Sequence, residues 1–178
     1  MSRIIVINGA PGSGKTTFER ICKERLGEDK CIIYSTIEPV KELAYTCGWS
    51  GEKTPEARKF LSDFKDLLSA SPWGNMPFLW AKAKIQYEED FYLENHDDTN
   101  ELVFFIDVRE PLEIQKLKDE LNAFTILIHN VEAEERAASN HADANVLDFS
   151  YDLVIDNNES LDEFEDTIDW LFEQAKEK

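Results

Sequence analysis

Positive charge is scarce in this chain. Nineteen lysines and arginines stand against 37 aspartates and glutamates, a formal net charge of −18 over 178 residues. A surface that acidic repels phosphate backbones and anionic headgroups, so nucleic acid and membranes are excluded as expected partners. Cysteine is sparse too. Cys22, Cys31 and Cys47 stand at no metal-ligand spacing, and an odd, small set of thiols fits a reducing, cytoplasmic setting. No apolar run approaches the length of a membrane span, and the chain starts almost directly in an apolar segment without a signal-peptide pattern. Internal repeats, low-complexity tracts and linkers are missing. No Gly-x-Ser-x-Gly stretch occurs. His96, His129 and His141 have no partner pattern for a metal or a nucleophilic triad and read as structural or exposed, so zinc and serine-hydrolase chemistry are not expected. What is left, 42% hydrophobic and 31% charged, is the composition of one globular domain spanning residues 1–178.

Against these absences stands one specific feature. Gly9-Ala10-Pro11-Gly12-Ser13-Gly14-Lys15-Thr16 reads G-x-x-x-x-G-K-T. It follows an apolar run, Ile4 to Ile7, and precedes a helical pattern carrying Phe18, Ile21, Cys22 and Arg25. Strand, glycine-rich turn and helix form the context that a phosphate-binding loop needs. Glycines let successive backbone N–H groups converge on a polyphosphate with no Cβ in the way. The helix then presents its unpaired N–H groups and positive dipole end to the same anion. Lys15 is expected to reach the β and γ phosphates, Thr16 to ligate Mg²⁺, and the loop with Thr17 to cradle ATP.

The rest of the chain alternates strand and helix, which favours a parallel sheet covered on both faces. Strands are expected near 4–8, 31–34, 102–106, 124–128 and 153–155, and helices near 14–26, 39–47, 54–70, 77–93, 109–121, 131–139 and 161–174. Thr54-Pro55 reads as an N-cap with proline at the first helical position, and Ser160 with Glu163 as a capping box. Phe60, Leu61, Phe64, Leu67 and Leu68 fall at helical spacing and are expected to form a buried stripe; Leu161, Phe164, Ile168, Leu171 and Phe172 do the same in the last helix. Trp80, Tyr87 and Phe91 share one side of a long acidic helix.

An anionic ligand in an anionic protein requires its few cations to converge. Lys82, Lys84, Lys116 and Lys118 sit beside acids as solvated helix faces. Lys15, Lys41, Lys53, Arg58, Lys65, Arg109 and Arg136 remain for a site. Asp107 closes an apolar strand and is either a turn residue or the Mg²⁺-holding acid at the carboxyl end of the sheet. Arg109, two residues on, either pairs with Glu110 or Glu113 or offers its planar fork to a phosphate. Arg58 opens a helix just after the Trp-containing 48–54 stretch, as a substrate-closing flap would, and is read as a clamp on an acceptor phosphate; Lys65 is read as surface charge. Trp49 serves equally as lid packing or as a platform for a base. Lys41 stands at a helix start beyond the second strand. Arg136 is the one arginine between the last two strands, placed either to neutralise a moving phosphoryl group or to pair with Glu132, Glu134 and Glu135.

In this order the phosphate loop, Glu38-Pro-Val-Lys-Glu-Leu-Ala-Tyr45, Asp107-Val-Arg109 and Leu147-Asp-Phe-Ser-Tyr-Asp-Leu-Val-Ile-Asp-Asn157 resemble the bacteriophage-type deoxynucleoside monophosphate kinases. Animal-type phosphomevalonate kinases are similar in the same places. The resemblance implies a three-layer P-loop NTPase fold with five parallel strands in the order 2-3-1-4-5. It implies an acceptor flap over about 36–95 and a small lid over about 130–150. It implies ATP and Mg²⁺ as donor and cofactor, with Lys15, Arg109 and Arg136 catalytic and Thr16 and Asp107 on the metal. Lys41, Trp49, Arg58 and Arg109 then face the acceptor, and Asn157 lies near the adenine. The implied partner is a small phosphorylated acceptor, a nucleotide first, bound by a monomer or homodimer. Two alternatives stay open: a kinase of another phosphorylated metabolite, and a nucleotide-dependent regulatory ATPase with no acceptor. The lid is poor in arginine for such a kinase.

Overall fold

The structure is a computed structural model and describes residues 2–137 and 146–176. The chain divides into two compact units. One, the sheet unit, comprises Ser2–Ile33 and Glu101–Lys178; the other, the helical unit, is Tyr34–Asn100.

Five parallel strands run in the order β2-β3-β1-β4-β5. They are β1 (Arg3–Asn8), β2 (Cys31–Ser35), β3 (Val103–Asp107), β4 (Phe124–His129) and β5 (Leu153–Asp156). β1 pairs with β3, bringing Ile7 opposite Asp107, and with β4, bringing Asn8 opposite Leu127. Because every strand is parallel, all carboxyl ends fall on one edge, and the segments leaving β1, β3, β4 and β5 meet there. Helices cover both faces. Strands buried on both sides must be apolar at successive positions rather than alternate ones, and Leu102 through Ile106 are all buried.

On one face, Ile7, Val103, Phe105, Ile126, Ile128 and Ile155 pack with Phe18, Ile21 and Cys22 of α1 (Lys15–Leu26) and Phe164 and Ile168 of α7 (Leu161–Lys176). Leu161, expected inside, is exposed. It occupies the first position of its helix, where the chain has only just met the core. The capping box that starts this helix is formed: Ser160 Oγ and backbone N–H both donate to Glu163 Oε2, at 2.7 and 3.0 Å. α5 (Pro111–Leu121) packs on β1 and β4 through Ile114 and Leu117. The short α6 (Val131–Ala137) follows β4; residues 138–145, the middle of the expected lid together with His141, lie outside the described residues.

The helical unit consists of α2 (Glu38–Thr46), α3 (Pro55–Ser69) and α4 (Met76–Leu93), with α3 against both neighbours. Side-chain caps start two of them. Thr54 Oγ1 accepts from Ala57 N–H at 3.2 Å and Asn75 Oδ1 from Phe78 N–H at 3.0 Å, each with proline in the first turn. The stripe expected on α3 is covered only in part, Leu61, Phe64 and Leu68 being half-buried. Phe60 and Leu67 are exposed, whereas Ala57 and Lys65 are buried. Periodicity identifies a face, but the packing partner decides which face is covered. On α4 the same holds: Phe78, Ala81, Ile85 and Tyr92 are buried, while Tyr87 and Phe91 face solvent. No described helix is long and apolar enough to cross a membrane.

Candidate active site

The glycine loop leaves β1 at the carboxyl edge and enters α1 at Gly14, whose φ of 105° is left-handed. A side chain at Gly14 would also run into the Asn157 amide. Gly9 is constrained by closeness. A Cβ there would lie 2.6 Å from the Ile128 carbonyl oxygen and 2.5 Å from Ser13 Oγ, so β4 and the loop can approach only across a glycine. Helix α1 has no side-chain cap and no acid in its first turn. Its N–H groups and dipole therefore face the loop uncompensated, the electrostatics an anion needs. Lys15 Nζ folds back over the loop and donates to the carbonyls of Gly9 at 2.7 Å and Ala10 at 3.1 Å. Ser13 is fully buried and its hydroxyl has no hydrogen-bond partner. Such an orphan costs about 1–3 kcal/mol, which an incoming acceptor such as a phosphate oxygen would relieve. Loop shape, lysine, helix end and orphan hydroxyl all fit a polyphosphate.

Residues distant in sequence are tied to this loop. Asn157 Nδ2 donates to the Ser13 carbonyl at 2.7 Å, and the Asn157 N–H to the His129 carbonyl at 2.8 Å. Asn157 therefore braces the loop from the end of β5. Arg136 on α6 donates through Nε to the Glu132 carbonyl at 3.0 Å, and its Nη2 lies 3.8 Å from the point where a Cβ on Gly12 would stand. A second guanidinium-bearing segment is fixed through Asn8, the buried last residue of β1. Asn8 Oδ1 accepts from Gly9 N–H at 2.8 Å, and its Nδ2 donates to the Arg109 carbonyl at 3.3 Å and to the Tyr151 hydroxyl at 2.7 Å. Tyr151 donates onward to the Val146 carbonyl at 2.8 Å. Burial pushes the Tyr151 hydroxyl up to about 12, only partly offset by Asn8, so it stays a neutral donor. One asparagine thus links the loop, the β3–α5 connection and the segment returning from α6.

Two acids approach from the other side. Asp107 ends β3 beside Ile7. Glu19 lies one turn into α1 and is 4% exposed, with Oε1 buried and unpartnered. Burial, then the charge of Asp107, pushes Glu19 up to about 7, opposed by Lys15. Glu19 is therefore within electrostatic reach of both. Among the described residues no group of three or more His, Cys, Asp or Glu could cage a cation. A hydroxyl and one or two carboxylates is instead the donor set that suits Mg²⁺, which keeps most of its shell as water and phosphate oxygens. Thr16 and Asp107 fit that set.

The remaining candidates belong to the helical unit. Lys41 Nζ is 2.6 Å from Glu38 Oε1. Arg58 is exposed in the first turn of α3. Trp49 stacks on Tyr45 at 4.7 Å between ring centroids, and its Nε1 donates to the Glu52 carbonyl at 3.3 Å. Lys65, read as surface charge, is buried. His129, expected to be structural or exposed, has Nδ1 2.6 Å from Glu134 Oε1 and Nε2 3.8 Å from Asp156. Its role is to hold α6 to the end of β4. The residues that sequence reasoning passed over are Asn8, Glu19 and Tyr151. Asn8 directly precedes Gly9, and Glu19 stands three residues after Thr16, but their importance comes from strands more than 80 positions away.

No protein-family model and no curated protein matches the chain. Solved structures do. Dephospho-CoA kinase from Campylobacter jejuni is 14% identical, covers 98% of each chain and superposes with a TM-score of 0.51. The fold is that of the P-loop kinases. Thymidylate kinase from Ehrlichia chaffeensis is 14% identical, covering 96% of this chain and 98% of its own, with a TM-score of 0.45. Shikimate kinase from Bacteroides thetaiotaomicron is 13% identical, covering 98% of each chain, with a TM-score of 0.45.

Proposed function

We propose that this P-loop protein is an ATP- and Mg²⁺-dependent phosphotransferase whose acceptor is a nucleoside or deoxynucleoside monophosphate. The observation that carries the reading is the convergence of Lys15, Arg136 and the orphan Ser13 hydroxyl on a glycine loop that opens onto an uncapped helix, next to Asp107. The dephospho-CoA kinase that shares the fold is itself a kinase by name. The acceptor side rests on the resemblance in sequence, which gives Lys41, Arg58 and Arg109 to that substrate, with Trp49 as a platform for its base.

Chemically the protein needs no nucleophile of its own. An oxygen of the acceptor's phosphate attacks the γ-phosphorus in line, the bond to the β–γ bridging oxygen breaks, and ADP leaves with the electron pair. That oxygen is already anionic, so no general base is required, consistent with His129 being engaged structurally. Lys15 and Arg136 neutralise charge on the transferring group, and the loop N–H groups fix its position. Thr16 and Asp107 would hold Mg²⁺, which when bound screens the triphosphate. A coupled ADP-release assay over all NMPs and dNMPs tests the reading. At least one should raise the rate well above basal hydrolysis. A flat panel with phosphomevalonate active moves the acceptor to a non-nucleotide, and hydrolysis indifferent to every acceptor would leave a regulatory ATPase.

A further inference from the structure

We propose that Glu19 is a second carboxylate of the divalent-cation site, standing with Asp107 and Thr16 around the cation that accompanies the triphosphate. The inference rests on the donor-site reading above and extends it to a residue outside the loop motif. Three observations carry it. First, Glu19 and Thr16 are three positions apart on α1 and so share a face of the helix. The hydroxyl at the loop's end and the carboxyl one turn on are neighbours by construction. Second, Glu19 is 96% buried by its 4% exposure, yet Oε1 has no hydrogen-bond partner. Proteins rarely leave a buried carboxyl so; it is paired, neutralised by a proton or bound to a cation. Third, the charge felt at Glu19 comes from Asp107 and Lys15, both at the loop. The carboxyl is therefore within electrostatic reach of the loop, as it is of Cys22 and Cys31.

Two carboxylates in reach of each other repel when both are ionised, and the lysine nearby is held by the Gly9 and Ala10 carbonyls. A divalent cation answers both conditions. It supplies the missing partner at Oε1 and cancels the repulsion. Glu19 acts here as a positioning residue for the cation, directly or through a coordinated water, and is distinct from the groups that contact the transferring phosphoryl.

The test is Mn²⁺ binding, read by electron paramagnetic resonance of free Mn²⁺ with a non-hydrolysable ATP analogue present, for wild type, Glu19→Gln and Glu19→Asp. Metal-free analogue affinity is measured in parallel by calorimetry. The Gln variant keeps the shape and removes the charge. Its Mn²⁺ dissociation constant should rise about 10- to 100-fold, while metal-free nucleotide affinity holds or tightens. The Asp variant, which retains the charge, should fall between Gln and wild type. Gln within twofold of wild type overturns the inference and leaves Glu19 a buried structural acid, with the donor-site reading intact. A wild-type protein that binds neither the analogue nor Mn²⁺ overturns that reading too. Far-UV circular dichroism of each variant separates lost affinity from lost fold; should Gln not fold, the Asp variant alone decides, by a weaker Mn²⁺ affinity or one equal to wild type.

Discussion

The surroundings of the glycine loop and the helical unit engage their polar side chains differently. Around the loop, Asn8 and Asn157 reach across more than a hundred positions to backbone carbonyls, and Tyr151 accepts from Asn8 across 143 positions. In the helical unit several polar contacts are local: Lys41 with Glu38, Lys59 with Asp63 and Trp49 with Glu52 each lie within four residues. Large side chains such as Leu67, Trp73, Tyr87 and Phe91 stand in solvent there. Long-range bonds pre-organise a site before ligand arrives, whereas local, exposed pairs can be exchanged at little cost. On the proposed reading, the donor loop is braced by long-range bonds, whereas Lys41 and Trp49 hold local contacts that a substrate can replace.

The sharpest way to break that comparison is through the cations on the loop. Lys15→Ala should lower kcat at least about 1,000-fold, and Arg136→Ala about 100- to 1,000-fold, each with an unchanged circular-dichroism spectrum. Wild-type turnover in either variant would remove that residue from the transfer step. On the other side, Arg58→Ala should raise the acceptor KM about tenfold with kcat nearly constant, the pattern of a lost ground-state contact. A fall in kcat with unaltered KM would place Arg58 outside acceptor binding.

The smallest effect is on stability. In the folded, metal-free protein Glu19 titrates at about 7 against an ordinary 4.5, chiefly through burial. A raised carboxyl contributes its stability while protonated. That contribution is complete below pH 4.5 and is lost as the pH rises through about 7. The stability of wild type relative to Glu19→Gln should therefore decline over this window, by no more than about 2 kcal/mol once solvent screening is allowed for. Denaturant melts of both proteins across the window measure it, and parallel curves would refute the assignment.

How much of this was legible in the sequence depended on distance along the chain. The loop, the Thr54 cap and the Ser160–Glu163 box are written in neighbouring residues, and the structure shows each cap as expected. Strand order followed from the resemblance, since pairing partners such as Ile7 and Asp107 are a hundred residues apart. Glu19 was not legible. An acid between Phe18 and Arg20 looks like a solvated helix position until β3 brings Asp107 beside it. Lys65 misled for the converse reason: its spacing with Arg58 marks a face, and the aliphatic stem of a lysine lets such a face be covered.

The central claim is that a phosphoryl group passes from ATP bound on this loop to a second phosphate. Phosphorus NMR of the wild-type protein with ATP, Mg²⁺ and each nucleoside monophosphate in turn measures that directly. The account predicts, for at least one acceptor, the paired resonances of a new diphosphate growing in step with those of ADP. ADP accompanied only by inorganic phosphate, across the whole panel, would contradict it.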